Sequence, residues 1–278
     1  MGTFDTITCL TDLGTADEAV GLLHSILHDL APAASVIDLC HDIDPGDVRA
    51  GSLMLARSVP YLSQGLVLAS VGSILERPAI AVSVGDGQSI LVGPDNGLLG
   101  AAVAVVGGAD YAVQLTNDEL HTDSPGLEHL ARDILAPAAG HLAARGSISD
   151  LGQEINPSLL LPSLIPIPRI ESDGTVTAEV IRRTRQGAAQ LNVDRDLLRG
   201  LGETLLLGFG DEQRVVRVQR PEEVNPGQLA IVDDEYGLLA IATGLNEGII
   251  PAALEAGSEI TLKEVTSDQA RRFYLQHC

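Results

Sequence analysis

Tryptophan is absent, and four tyrosines with three phenylalanines leave aromatics at 3% of the 278 residues. A flat aromatic platform for a purine is therefore scarce, so stacking falls to aliphatic side chains or to Tyr61, Tyr111, Tyr236 or a phenylalanine. Basic residues are scarce too: 17 Lys and Arg stand against 38 Asp and Glu, a net charge of −21. Binding a phosphate backbone needs a basic footprint, so nucleic acid is excluded as a partner, and an anionic membrane surface with it. The deficit is uneven, with 20 acids and 6 bases in residues 1–169 and 18 and 11 in residues 170–278. Such a field would attract a cationic small molecule, but plain solubility is the better account of it. The three cysteines, Cys9, Cys40 and Cys278, have no Cys-x-x-Cys spacing. That leaves neither a disulfide frame nor a zinc motif, and points to a reducing, cytoplasmic location. No apolar run reaches the roughly 20 residues of a membrane span, and the first residues lack the basic start of a signal peptide.

What remains is 45% hydrophobic, enough for one large or two modest domains. Residues 6–10 read as a strand, and the periodicity of Ala19, Val20, Leu22, Leu23, Ile26 and Leu27 as a helix after it, with Asp17 as its N-cap. Residues 36–39 make a second strand and 47–58 a second helix ending before Pro60. Strands follow over 66–71, 79–82 and 89–92, a short helix over 98–106, and a longer one over 127–144 stopped by Gly146. Strands alternating with helices imply a layered α/β domain with a mainly parallel sheet. Four prolines crowd into Asn156 to Pro168, the clearest linker in the chain. Beyond it, strand-like runs at 175–180, 213–219, 229–232, 238–243 and 259–265 imply a small β-barrel or sandwich. The expected division is an N-terminal α/β domain over 1–165 and a β-rich domain over 170–278.

Two segments combine an acid with glycine after such strands: Leu10-Thr11-Asp12-Leu13-Gly14 and Val92-Gly93-Pro94-Asp95-Asn96-Gly97. Ligands bind at the carboxyl edge of open α/β sheets. A carboxylate there can accept both ribose hydroxyls, and glycine lets the backbone approach a ligand. Ordinary turn chemistry explains both segments as well. Ser70 as a nucleophile would need His129 or His41 as its base, and the nucleophile-elbow pattern is missing. His24 and His28 have helical i, i+4 spacing that can bind metal, but no third ligand is in view, so they read as paired surface histidines. Asp38, His41, Asp42, Asp44 and Asp47 read as a solvated loop with helix caps, so no metal is expected. Asp233, Asp234 and Glu235 read as a surface turn.

In order and spacing the chain resembles the S-adenosylmethionine hydroxide adenosyltransferase family, which also contains fluorinating and chlorinating enzymes. Residues 10–17, 36–48, 92–99 and 132–143 carry the resemblance, and residues 228–242 fit the family's last strand pair. It implies cleavage of S-adenosylmethionine at C5′ by water, giving adenosine and methionine, with no cofactor. It also implies a homotrimer whose sites lie between subunits. Asp12, Asp95, Asn96, Arg132 and Asp133 fall on substrate-binding segments. The family's Val-Asp-Pro-Gly-Val-Gly loop followed by Arg reads here Ala69-Ser70-Val71-Gly72-Ser73-Ile74-Leu75-Glu76-Arg77, so Ser70 stands in for Asp and Arg77 remains. Its Phe-His-Gly-Arg-Asp segment reads Glu128-His129-Leu130-Ala131-Arg132-Asp133, which places Leu130 on the His position and His129 one residue early. The implied catalytic set is Ser70, Arg77 and His129. A third element, which would hold the methionine part and the base, aligns with residues 182–190 and is replaced. A scaffold that binds nucleoside without turning it over is the alternative reading.

Overall fold

The β-branched segment Thr6–Thr11, with Ile7, Cys9 and Leu10 among its threonines, forms strand β1, buried along nearly its whole length as an interior parallel strand must be. The computed structural model describes residues 4–72, 77–184, 187–244 and 250–265. Cys278 and part of the third family element, Arg185 and Gln186, lie outside them. The chain divides into two units, Met1–Leu164 and Ile165–Cys278.

In the first unit, a seven-stranded sheet has the order β2-β1-β3-β5-β4-β6-β7. Its strands are β1, β2 (Ser35–Cys40), β3 (Leu66–Ser70), β4 (Ala79–Val84), β5 (Ser89–Pro94), β6 (Ala109–Leu115) and β7 (Gly152–Ile155). Pairing is parallel through β2, β1, β3 and β5 and antiparallel from β5 onward through β4, β6 and β7. The parallel half carries the acid-and-glycine segments. The chain leaves β1 for β2 on one side and returns to β3 on the other, so the carboxyl ends of β1 and β3 form a topological switch point, the place where open α/β sheets bind ligands.

Helices cover both faces. Helix α1 (Ala19–Leu30) buries Leu23 and Leu27, one turn apart. With α4 (Ala136–Ala143) it closes a core that includes Ile7, Cys9, Leu66 and Leu68. On the other face, α2 (Val48–Ser58) and α3 (Gly100–Val105) pack over Leu10, Val67, Ala69 and Leu91. Asp47 caps α2 by accepting the Ala50 N–H at 2.9 Å. Asp17 accepts the Ala19 N–H at 3.0 Å, although Glu18 occupies the cap position of α1. The expected single helix over 127–144 is instead a π-helical turn, Leu130–Leu135, leading into α4. Pro137 follows the π turn directly and can donate no bond back into it, and the Asp133 carbonyl four residues earlier is taken instead by the Thr122 N–H at 2.9 Å. Wide turns of this kind recur at functional sites.

The second unit is a closed barrel. Its strands are β9 (Val176–Arg183), β10 (Ala189–Asp194), β11 (Thr204–Phe209), β12 (Glu212–Val218), β13 (Leu229–Asp233), β14 (Leu238–Thr243) and β15 (Glu259–Glu264). The ring runs β9-β10-β14-β13-β12-β11-β15 and returns to β9, with the short β8 (Arg169–Ile170) added outside β9. Alternate residues such as Leu205, Leu207 and Phe209 fill its interior. Strand β11 lacks a clean alternating signature because Leu206 is apolar between the inward Leu205 and Leu207. Strand β10 does alternate, with Ala189, Leu191 and Val193 set between Gln190, Asn192 and Asp194, yet neither strand is among those expected from the sequence. Among the described residues no helix is long and apolar enough to cross a membrane.

Gly93, singled out in the sequence as a place for ligand approach, serves the neighbouring strand instead. A Cβ there would lie 2.5 Å from the backbone oxygen of Ala69. Gly93→Ala therefore forces β3 and β5 apart, and urea unfolding of the variant is expected to show a loss of about 1–3 kcal/mol.

Candidate functional site

Asp12 follows β1 directly, and its backbone N–H bonds the Ser70 carbonyl at the end of β3 (3.2 Å). Its carboxylate Oδ2 accepts the Gly46 N–H at 2.8 Å and the Gly72 N–H at 2.9 Å. Both glycines sit at positive φ (78° and 87°), a backbone that glycine adopts without cost. A Cβ on Gly72 would also press on Val48 Cγ2 (3.1 Å) and Asn96 Nδ2 (3.3 Å). One carboxylate thus joins three loops at the sheet's carboxyl edge. Among the described residues the other oxygen, Oδ1, has no hydrogen-bond partner.

Asn96 joins the same edge. Its Nδ2 donates to the Val71 carbonyl (2.9 Å) and its Oδ1 accepts the Leu98 N–H (3.1 Å). Ser70 is 4% exposed. Asp12, Ser70 and Asn96 are therefore brought together around residues 70–72. Arg77 is exposed and stands just ahead of β4, whose antiparallel pairing puts Ala79 beside Pro94 and hence Arg77 at the same edge. Asp95 faces elsewhere, accepting the Leu161 N–H at 2.8 Å. It borders an apolar cavity of about 430 Å³ lined by Gly97, Leu99, Val103 and Leu161. Apart from that committed acid, this cavity offers little to recognise a polar ligand.

His129, Arg132 and Asp133 form a second group, held together by hydrogen bonds. Arg132 grips the Asp133 carboxylate with Nε (2.6 Å) and Nη2 (2.8 Å), and Nη2 also reaches Ser124 Oγ (2.9 Å). The His129 N–H adds a third bond to Asp133 at 2.7 Å. Asp133 is 1% exposed, so it sits behind Arg132 rather than facing solvent. Burial pushes its carboxyl upward, but the Arg132 and His129 bonds prevail and hold it below the usual carboxylate value. The side chains of His129 and Arg132 face a cavity of about 120 Å³ with Leu13, Asp17, Glu18 and Leu22. Leu130 instead packs into the core. The one-residue offset noted in the sequence thus leaves a histidine at the cavity wall, and Leu13 lines that cavity one residue from Asp12. No hydrogen bond joins Ser70 to His129 among the described residues.

A third group was not legible as a unit. Thr11 Oγ1 lies 2.7 Å from His41 Nδ1, and His41 Nε2 lies 2.9 Å from Asp38 Oδ1. His24 Nε2 reaches the same Asp38 oxygen at 2.8 Å. Of the replaced third element, Arg182 is half-buried on β9, and Gln190, buried on β10, donates to Asp234. The acid run leads from the end of β13 into the surface turn after it, with Asp233 and Glu235 exposed, and Asp233 pairs with Arg195 at 2.6 Å. Burial, reinforced by Asp38, pushes the Cys9 thiol up to about 12, in keeping with an idle buried thiol.

Two changes follow from these bonds. Asp12→Ala orphans two backbone donors, and chemical unfolding is expected to register a loss of about 1–3 kcal/mol. Because the folded-state value of Asp133 is lowered, its contribution is full above the unfolded value near about 3.9 and fades as pH falls through the folded value. Arg132→Gln leaves that carboxylate buried with only the His129 N–H, at an expected cost of roughly 3 kcal/mol at neutral pH. Unfolding at neutral pH and below about pH 4 should show the gap between wild type and variant shrinking in acid.

Comparison with known proteins agrees with this arrangement. Residues 7–152 match the family model described as the SAM hydroxide adenosyltransferase N-terminal domain. A protein of Salinispora tropica named (R)-S-adenosyl-L-methionine hydrolase is 42% identical over 239 residues, covering 85% of this chain and 89% of that one. A second, from Salinispora arenicola and of the same name, is 36% identical over 256 residues, 91% of this chain and 96% of its own. A solved structure of an uncharacterized conserved protein from Thermotoga maritima superposes with a TM-score of 0.80 at 25% identity, covering 92% of this chain and 99% of that one. The switch-point acid between its two glycine loops, the two-unit architecture and these full-length matches lead to one assignment: the chain belongs to the S-adenosylmethionine hydroxide adenosyltransferase family.

Proposed function

We propose that the protein hydrolyses (R)-S-adenosyl-L-methionine at C5′, releasing adenosine and L-methionine. The observation that carries this is the 42% identity to the Salinispora tropica hydrolase over 85% of the chain. In the reaction, a water oxygen bonds C5′ as the C5′–S bond breaks. The bonding pair returns to sulfur, the sulfonium becomes a neutral thioether, and the water proton passes to a base. Much of the acceleration in such a displacement comes from holding water and leaving group in line.

Within this reading, Asp12 Oδ1 takes a ribose hydroxyl while Oδ2 stays tied to the glycine loops, and Asn96 fixes the loop beneath it. Ser70 and Arg77 orient the water, and His129 receives its proton. Arg132 lines the cavity beside His129, and buried Asp133 acts as a positioning residue that sets Arg132. The acidic surface draws in the sulfonium cation. The family resemblance further supports a homotrimer in which a neighbouring subunit completes each site, and light scattering should then return the mass of three chains.

Chromatographic assay of the purified full chain with each sulfonium epimer is the direct test. Adenosine should appear, with the (R) epimer preferred. His129→Ala should lower the rate by about 10²–10⁴-fold, the range for a lost general base, with KM little changed. If neither epimer yields adenosine, the reading fails. Binding of adenosine without turnover would then favour the non-catalytic scaffold.

A further inference from the structure

Sequence spacing paired His24 with His28, but the fold pairs it with residues on a different element. Helix α1 supplies His24, β2 supplies Asp38, and the loop after β2 supplies His41. One ligand atom from each lies within 4.8 Å of the others. Both imidazoles present Nε2 to the same carboxylate oxygen, at 2.8 and 2.9 Å. The rings meet edge to face, with centroids 6.3 Å apart and planes at 67°, so the two nitrogens converge on a point instead of stacking.

The geometry points to a site for one divalent transition-metal ion of the zinc class, held by Nε2 of His24, Nε2 of His41 and the Asp38 carboxylate, with the remaining positions open to water. Two imidazoles and one carboxylate form a donor set suited to such ions, at bond lengths of about 2.0–2.2 Å. Small movements of the half-exposed His24 and Asp38 side chains open the space an ion needs, because they are 39% and 43% exposed. His41 provides the fixed point, being 5% exposed.

The support behind His41 strengthens the assignment. Metal-bound histidines commonly anchor their second ring nitrogen on a neighbouring oxygen, which fixes both tautomer and orientation. Here His41 Nδ1 meets Thr11 Oγ1 at 2.7 Å inside the core. A hydroxyl both donates and accepts, so Thr11 can pair with either tautomer of the ring. The surrounding acids add a favourable field: Asp42 bonds Thr15 at 3.1 Å on the next loop, and Asp44 and Asp47 follow. An ion there clamps α1 to the end of β2. It also reaches the Asp12 loop through Thr11 and through the His41 carbonyl, which accepts the Gly14 N–H at 2.7 Å.

The test needs no enzymatic readout. Full-length protein stripped with a chelator is titrated with Co²⁺, followed by visible absorption and calorimetry, and then challenged with Zn²⁺. One equivalent of Co²⁺ should bind, with d–d bands that Zn²⁺ abolishes, and the melting temperature should rise with metal. His24→Gln and Asp38→Asn should each weaken binding at least about tenfold and remove the thermal shift. Both positions are exposed enough for the fold, followed by circular dichroism, to persist. His28→Gln should bind like wild type. Absence of binding at millimolar Co²⁺ overturns the proposal. So does binding that survives both His24→Gln and Asp38→Asn, or binding that is lost equally in His28→Gln.

Discussion

Two backbone N–H groups from different loops converge on one carboxylate oxygen of Asp12, and the organisation of the sheet edge follows from that convergence. The bonds tie the turn ahead of α2 to the turn after β3, and both hang on the residue that directly follows β1. Hydrogen bonds to an ionised acceptor are about twice as strong as neutral ones. The acid is therefore a structural pin through one oxygen, and its other oxygen is left with no hydrogen-bond partner among the described residues. Asn96 performs a similar service from β5 by holding Val71. Catalysis of a displacement that relies on alignment suits a site whose floor is fixed in this way.

The π-helical turn at Leu130–Leu135 solves a related problem. It buries Leu130 and Asp133 while leaving His129 and Arg132 on the cavity wall. A regular helix advances 100° per residue and distributes four consecutive positions around its whole circumference. Being adjacent, Arg132 and Asp133 point to different sides of the turn, so the pair spans the boundary between core and cavity. The pair then braces the guanidinium, which would otherwise sample many rotamers at a cost in entropy.

Much of the first unit was readable from the chain. β3 and β5 are buried on both faces and carry the short apolar runs Leu66–Ala69 and Ile90–Val92. β1 reads as a β-branched strand in which threonines flank Ile7, Cys9 and Leu10, and α1 and α2 carry clear helical periodicity and acids near their starts. The position of Asp12 at a strand end was equally plain. Its two glycine partners were not, because residues 46 and 72 meet it only through tertiary structure. The barrel was harder to read. In β10, Gln190 and Asn192 alternate with the core residues Ala189, Leu191 and Val193, yet they are themselves buried or half-buried, and their partners, Asp234 and the Pro166 carbonyl, are remote in sequence. The His24, Asp38 and His41 cluster was invisible for the same reason. Each residue has an ordinary local explanation, and only the packing of α1 against β2 brings their nitrogens to one oxygen.

The closed ring of the second unit has a consequence for how the chain is made. β9 begins at Val176, but its partner on one side, β15, ends at Glu264. A chain still emerging from the ribosome can form the β9–β10 hairpin early, yet both β9 and β11 keep an open hydrogen-bonding edge until the last strand arrives. Closing such a long loop slows the final step, and open edges invite pairing with other chains in the meantime. Truncations just upstream of residue 259 should therefore yield aggregating material rather than a smaller soluble barrel, and β15, the last strand among the described residues, acts as the seal on the ring.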